Sequence, residues 1–148
     1  MYEIQIICPK DRSDYDVKRG YYYTSDALGK TWTKRQYPKT DFVPRSICIN
    51  ETNNKMYLFP DNSYEAIALD VGESEYDTIS IPVSAKWADA KFGNGNIIAV
   101  SENSNYFIKG SAFAFELGDL PDLGTDGYVR LAYGNGVWVA IPKGQSDS

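Results

Sequence analysis

A chain of 148 residues, 43% hydrophobic and 24% charged, is long enough to bury a core and short enough to be one domain. Its net charge of −5, from 20 acidic against 15 basic residues, argues against a nucleic-acid binder, which needs clustered cations for phosphate. Histidine is absent, which removes imidazole from any metal site and from any catalytic triad.

The N-terminal ten residues have no basic start and no long apolar run, so no signal peptide is expected. No apolar window reaches membrane-spanning length, so no membrane insertion is expected either. Strands are expected over 2–7, 20–24 and 31–33. Between the first two, Asp11, Ser13, Asp14 and Asp16 alternate oxygen donors loosely as calcium asks, but no turn glycine and no closing Glu follow. That segment reads as a surface loop, and no metal or cofactor is expected. Cys8 and Cys48 are too few for a disulfide framework and read as small thiols in strand patterns. Lys30, Lys34, Arg35 and Lys39 are spread among polar and aromatic residues, as on a solvated strand face.

The second unit gives strands over 46–49, 55–59, 64–69 and 78–81, with Asn53 and Asn54 turning the first pair. A short turn near 72–77 is the nearest approach to helix, since no segment keeps a helical apolar period for two turns. The third unit opens on the strongest signal in the chain. Residues 90–100 and 131–141 share an aromatic-Gly-Asn-Gly-x-apolar-apolar-Ala-apolar pattern, with Phe92 opposite Tyr133 about 41 positions apart. Gly93, Asn94 and Gly95, and again Gly134, Asn135 and Gly136, supply residues that tolerate positive φ, as tight hairpins demand. Strands over 105–108 and 112–117 complete this unit. The fourth stops after its hairpin.

Four short antiparallel strands per unit describe a propeller blade. The expected fold is all-β and β-propeller-like, one domain over 1–148 of about three and a half blades, with units near 1–43, 44–84, 85–124 and 125–148. A closed propeller needs about four blades or more. Closure is therefore expected either from the N-terminal strands or from a partner subunit pairing at an open edge.

Two resemblances add to this reading. Asp26, Gly29, Thr31 and Trp32 resemble the Asp-box hairpin of sialidase-type propellers, with one extra residue between Asp26 and Gly29. In that family the box is a fold-stabilising turn, which would place Asp26 on the amides of its own turn and Trp32 between sheets. The Gly-Asn-Gly hairpins, with Trp87 five residues before Phe92 and Tyr128 five before Tyr133, resemble a repeat of phage-encoded propeller proteins. That resemblance implies a structural or receptor-binding domain, located in the virion after assembly in the host cytoplasm.

Catalysis is not expected. Glu73 with Glu75, and Asp119 with Asp122, fall in polar turn-like segments with nothing apolar to raise a pKa. The five arginines (12, 19, 35, 45 and 130) share no motif. The expectation is a non-enzymatic module of a phage particle, such as a capsid decoration, head fibre or tail component, touching other virion proteins or identical subunits. The alternative is a propeller that binds a carbohydrate or receptor, such as a host-surface glycan, with Tyr21, Tyr22, Tyr23 and Trp138 as stacking platforms, and a sialidase-type glycoside hydrolase ranks third.

Overall fold

The computed structural model describes residues 5–8, 20–122 and 127–144, with only the backbone course for 5–8. The acidic loop from Asp11 to Asp16 and the Cys8 side chain lie outside the described residues. All regular structure in the described residues is β. It comprises β1 (Gln5–Cys8), β2 (Tyr21–Ser25), β3 (Trp32–Gln36), β4 (Pro44–Asn50), β5 (Lys55–Leu69), β6 (Asp77–Gly93), β7 (Asn96–Ser101), β8 (Tyr106–Gly110), β9 (Phe115–Asp119), β10 (Tyr128–Gly134) and β11 (Val137–Pro142). Each pairs antiparallel with its chain neighbour, in three groups: β1-β2-β3, β4 through β9 in order, and β10-β11.

Turn chemistry sets these strands. Asn94 and Gly95 have φ of 49° and 76°, and Asn135 and Gly136 have 50° and 74°, so each pair closes a two-residue hairpin with both central residues left-handed. The second unit's turn is longer. Asn50 pairs with Lys55, and four residues loop out between them, held where the Asn54 N–H donates to the Asn50 carbonyl at 2.7 Å. Asp26 fixes the first unit's turn: its Oδ1 accepts the N–H groups of Leu28 and Lys30 at 3.1 and 3.0 Å.

The strand boundaries differ from the sequence expectation in one informative way. β5 and β6 run 15 and 17 residues and each serves two partners along its length. The first leg of β5 pairs with β4 and its second with β6, with register shifts from Asp61 to Glu65, where Asn62 takes a φ of 59°. A single left-handed residue and a bulge bend the strand where the sequence pointed to a loop. β9 likewise begins at Phe115 rather than near 112.

The legs make two complete blades. One is β4, both legs of β5 and the first leg of β6; the other is the second leg of β6, then β7, β8 and β9. Three strands stand before them and two after. Strand alternation gives each blade two buried faces. Tyr22, Tyr37 and Phe42 pack on Met56, Leu58, Ile67 and Leu69 between the first two blades. Cys48, Tyr57 and Phe59 meet Trp87, Ala90, Ile97 and Ala99 between the second and third. Val100 with Ile98 and Phe107 meets Tyr128, Leu131, Trp138 and Ala140 between the third and fourth. Among the described residues no sheet joins β10-β11 to β1-β2-β3, so the described N-terminal strands do not close a ring with the last hairpin.

Candidate functional site

The inner strand of each successive blade lies beside the next, β4 beside the second leg of β6 and that leg beside β10. An open groove of about 860 Å³ lies along the first two. Arg45, Ser46, Asp61, Asp89, Glu102 and Arg130 supply its polar lining. Arg45 pairs with Glu102, and Lys91 pairs with Asp89 at 2.8 Å. The second Asp89 carboxylate oxygen accepts the Leu131 N–H at 2.9 Å, which ties the fourth blade to the third. Its first oxygen takes the Ala90 N–H at 3.0 Å. Ser46 stands at the equivalent place on β4. Among the described residues its buried hydroxyl has no hydrogen-bond partner, and neither has Oδ1 of Asp61. Arg130 is exposed and its Nη1 donates to the Val129 carbonyl at 2.7 Å. Cys48 also lines the groove, and burial pushes its thiol up to about 12, so it remains neutral. Among the described residues, no three His, Cys, Asp or Glu side chains gather to hold a metal ion.

The aromatic residues proposed as stacking platforms are not brought together. Tyr22 is buried in the core beside Tyr37, and its hydroxyl accepts the Gly72 N–H at 3.0 Å. Trp138 is half-buried and packs on Tyr133, ring centroids 4.7 Å apart. Tyr21 and Tyr23 are half-buried on the opposite face of β2 from Tyr22, far along the chain from Trp138. Three consecutive tyrosines on a strand cannot share a face, which is why buried Tyr22 cannot join Tyr21 and Tyr23 in a platform. Trp32 does not pack between sheets. It is 40% exposed and its indole N–H donates to the Gly29 carbonyl at 3.1 Å, closing its own turn, with Gly29 at a φ of 68° and Thr31 exposed beside it. Glu73, Glu75, Asp119 and Asp122 are exposed.

The end of the blade series is different from its interior. Val137, Val139 and Ile141 on β11 are 56%, 54% and 54% exposed, aligned on one face. Their repeat counterparts on β7 are Asn96, Ile98 and Val100. Of these, Ile98 and Val100 are covered by the fourth blade. The glycines agree. A Cβ on Gly93 would sit 2.2 Å from the Tyr133 ring, whereas one on Gly134 would meet nothing within 4 Å. The sequence carried this signal, since offsetting the two hairpins by one repeat places Val137 where Asn96 stands. It could not show that, among the described residues, no blade covers the second copy.

No family model and no curated protein matches this chain. Solved structures do. A streptogramin B lyase is 16% identical at a TM-score of 0.66, over 84% of this chain and 41% of that one. A catalytically inactive virginiamycin B lyase from Staphylococcus aureus with quinupristin is 11% identical at 0.59, over 92% and 54%. A chain of a nidogen/laminin complex is 11% identical at 0.58, over 84% and 46%. The fold is β-propeller-like, and the chain spans about half the length of the structures it matches. The expectation that the chain is not an enzyme is corrected here. Two of the matched structures are lyases, so the shared fold is one that carries catalysis. At these identities the likeness concerns fold alone.

Proposed function

We propose that this chain is a structural or binding module that acts by protein–protein contact as part of a larger assembly. The phage particle implied by the hairpin resemblance is its working context. The uncovered face of β11 carries this reading. Three aliphatic side chains stand about half exposed on one face of the last sheet, where on the preceding blade Val100 is buried and Ile98 half-buried. Covering the remaining half of each contributes roughly 1 kcal/mol per side chain at about 25 cal/mol per Å². A partner of several such contacts turns that into stable docking. Val139→Asp places a charge at the centre of the face and leaves the interior untouched. Particles purified from the source that encodes the chain are expected to carry the wild-type chain and to lose the variant, as quantified by mass spectrometry of the particle fraction. A wild-type chain that stays soluble, apart from any particle, would defeat the proposal.

A further inference from the structure

We propose that the groove along β4 and the second leg of β6 is a binding site for an uncharged saccharide. The inference is separate from the β11 face and rests on the inner strands alone.

The case starts from the repeat. Ser46 and Asp89 hold equivalent places, Ser46 paired with Phe59 and Asp89 with Val100. Asp89 engages both of its carboxylate oxygens, one on the Ala90 N–H and the other on the Leu131 N–H of the next blade. Ser46 is shorter, and the Ala90 N–H that it would take by analogy is already held by Asp89. Its hydroxyl is left over. Ser46 is 5% exposed and lines the groove, and its hydroxyl has no hydrogen-bond partner among the described residues.

Asp61 and Glu102 are a second equivalent pair. Each lies one residue past the pairing that opens its ladder, Pro44 with Pro60 or Trp87 with Ser101. Each is anchored by its own N–H, Asp61 on the Val43 carbonyl at 2.9 Å and Glu102 on the Lys86 carbonyl at 3.0 Å. Arg45 neutralises Glu102. Asp61 joins no ion pair among the described residues, and its buried Oδ1 has no partner there. An unmade hydrogen bond at a buried polar atom is costly. Two such atoms line one groove of about 860 Å³, a size that suits a small ligand.

The lining selects the ligand's chemistry. Asp61 asks for a donor, and Ser46 takes either a donor or an acceptor. Arg130 is exposed at the same groove, joins no ion pair among the described residues and offers further donors. A hydroxyl donates and accepts through one atom, so the hydroxyls of a sugar meet all three demands. Charge gives an ionic ligand little advantage. Arg45 cancels Glu102 and Lys91 cancels Asp89, which leaves Asp61 and Glu51 against Arg130. Half-buried Ile47 and Phe92 add apolar ground for the carbon face of a ring.

The test is an amide-resolved NMR titration of the full chain with glucose, galactose, mannose, N-acetylglucosamine and N-acetylgalactosamine in turn. Methylammonium chloride is the ionic comparison. At least one sugar is expected to shift the Ser46, Asp61 and Ala90 amides saturably. Ser46→Ala and Asp61→Asn are each expected to weaken that binding about tenfold, the loss of one hydrogen bond at a buried group. Ser46→Ala is also expected to leave the urea midpoint at or above the wild-type value, because the hydroxyl it removes bonds to nothing described in the protein. A lowered midpoint would show the hydroxyl engaged within the fold and would overturn the inference. So would sugar binding indifferent to either variant, or shifts confined to β2 or β11. No saturable shift from any sugar of the panel overturns it as well, leaving the groove to water. Methylammonium moving these amides where no sugar does would make the groove a cation site instead.

Discussion

Cys48 shows how one buried side chain becomes a pH effect. Desolvation raises its thiol from 9.0 to about 12, with Lys91 acting against the rise and Asp89 and Glu51 adding to it. The folded chain therefore holds this proton more tightly than the unfolded chain does. Stability from the neutral thiol is fully present below about pH 9 and falls as pH climbs from 9 towards 12, because only the unfolded state ionises in that window. In urea unfolding, the advantage of wild type over Cys48→Ala is expected to shrink by on the order of 4 kcal/mol across that window. A gap that stays constant with pH would remove the argument. At this scale the sequence was a good guide where chemistry is local. Asp26 binding the amides two and four residues on follows from its side-chain length and the following glycine. It was a poor guide for Trp32, whose indole bonds back to Gly29 rather than packing in a core, because no sequence pattern says which neighbour will be present.

A hairpin is legible when its turn leaves little choice. Asn94-Gly95 and Asn135-Gly136 require left-handed backbone at both positions, and the apolar residues on either side then fix the register. The join between blades was less legible. β5 and β6 bend without breaking, and a bulge at an asparagine looks like a loop in sequence. Tyr22 was misplaced as a surface candidate for a related reason: alternation separates it from Tyr21 and Tyr23, but only packing decides which side is core. The two hairpin glycines turn this into a measurement. Gly93 lies under the Tyr133 ring at a distance no Cβ tolerates, and Gly134 has open space. Gly93→Ala is expected to lift β10–β11 from the third blade and speed amide exchange in both strands at least tenfold, a loss of about 1.4 kcal/mol or more. Gly134→Ala is expected to leave exchange within β10–β11 unchanged. Equal effects from both substitutions would mean that the two hairpins sit in equivalent surroundings, against the packing described here.

Across the whole molecule the three interfaces between blades are unequal. Among the described residues, the one between the second and third blades holds 14 buried residues, against 7 and 3 at its flanks. Repeat folds add their stability interface by interface, so the chain should open from the fourth blade inward. The overall repeat was readable because each blade repeats its turn; the inequality was not, because it depends on large side chains converging from distant strands. Trp87 is the centre of this gradient. It is fully buried, and its indole N–H has no hydrogen-bond partner among the described residues, so packing carries its contribution there. Trp87→Ala removes the largest side chain from the largest interface and is expected to cost about 3–5 kcal/mol, read by urea unfolding. The order of exchange should change with it. In the wild type, β5, β6 and β7 are the last amides to exchange. In Trp87→Ala they should exchange together with β10 and β11, because the interface that held the two complete blades together no longer outlasts the end one. If β5 through β7 kept their protection after that loss, the two blades would be held by something other than the core between them.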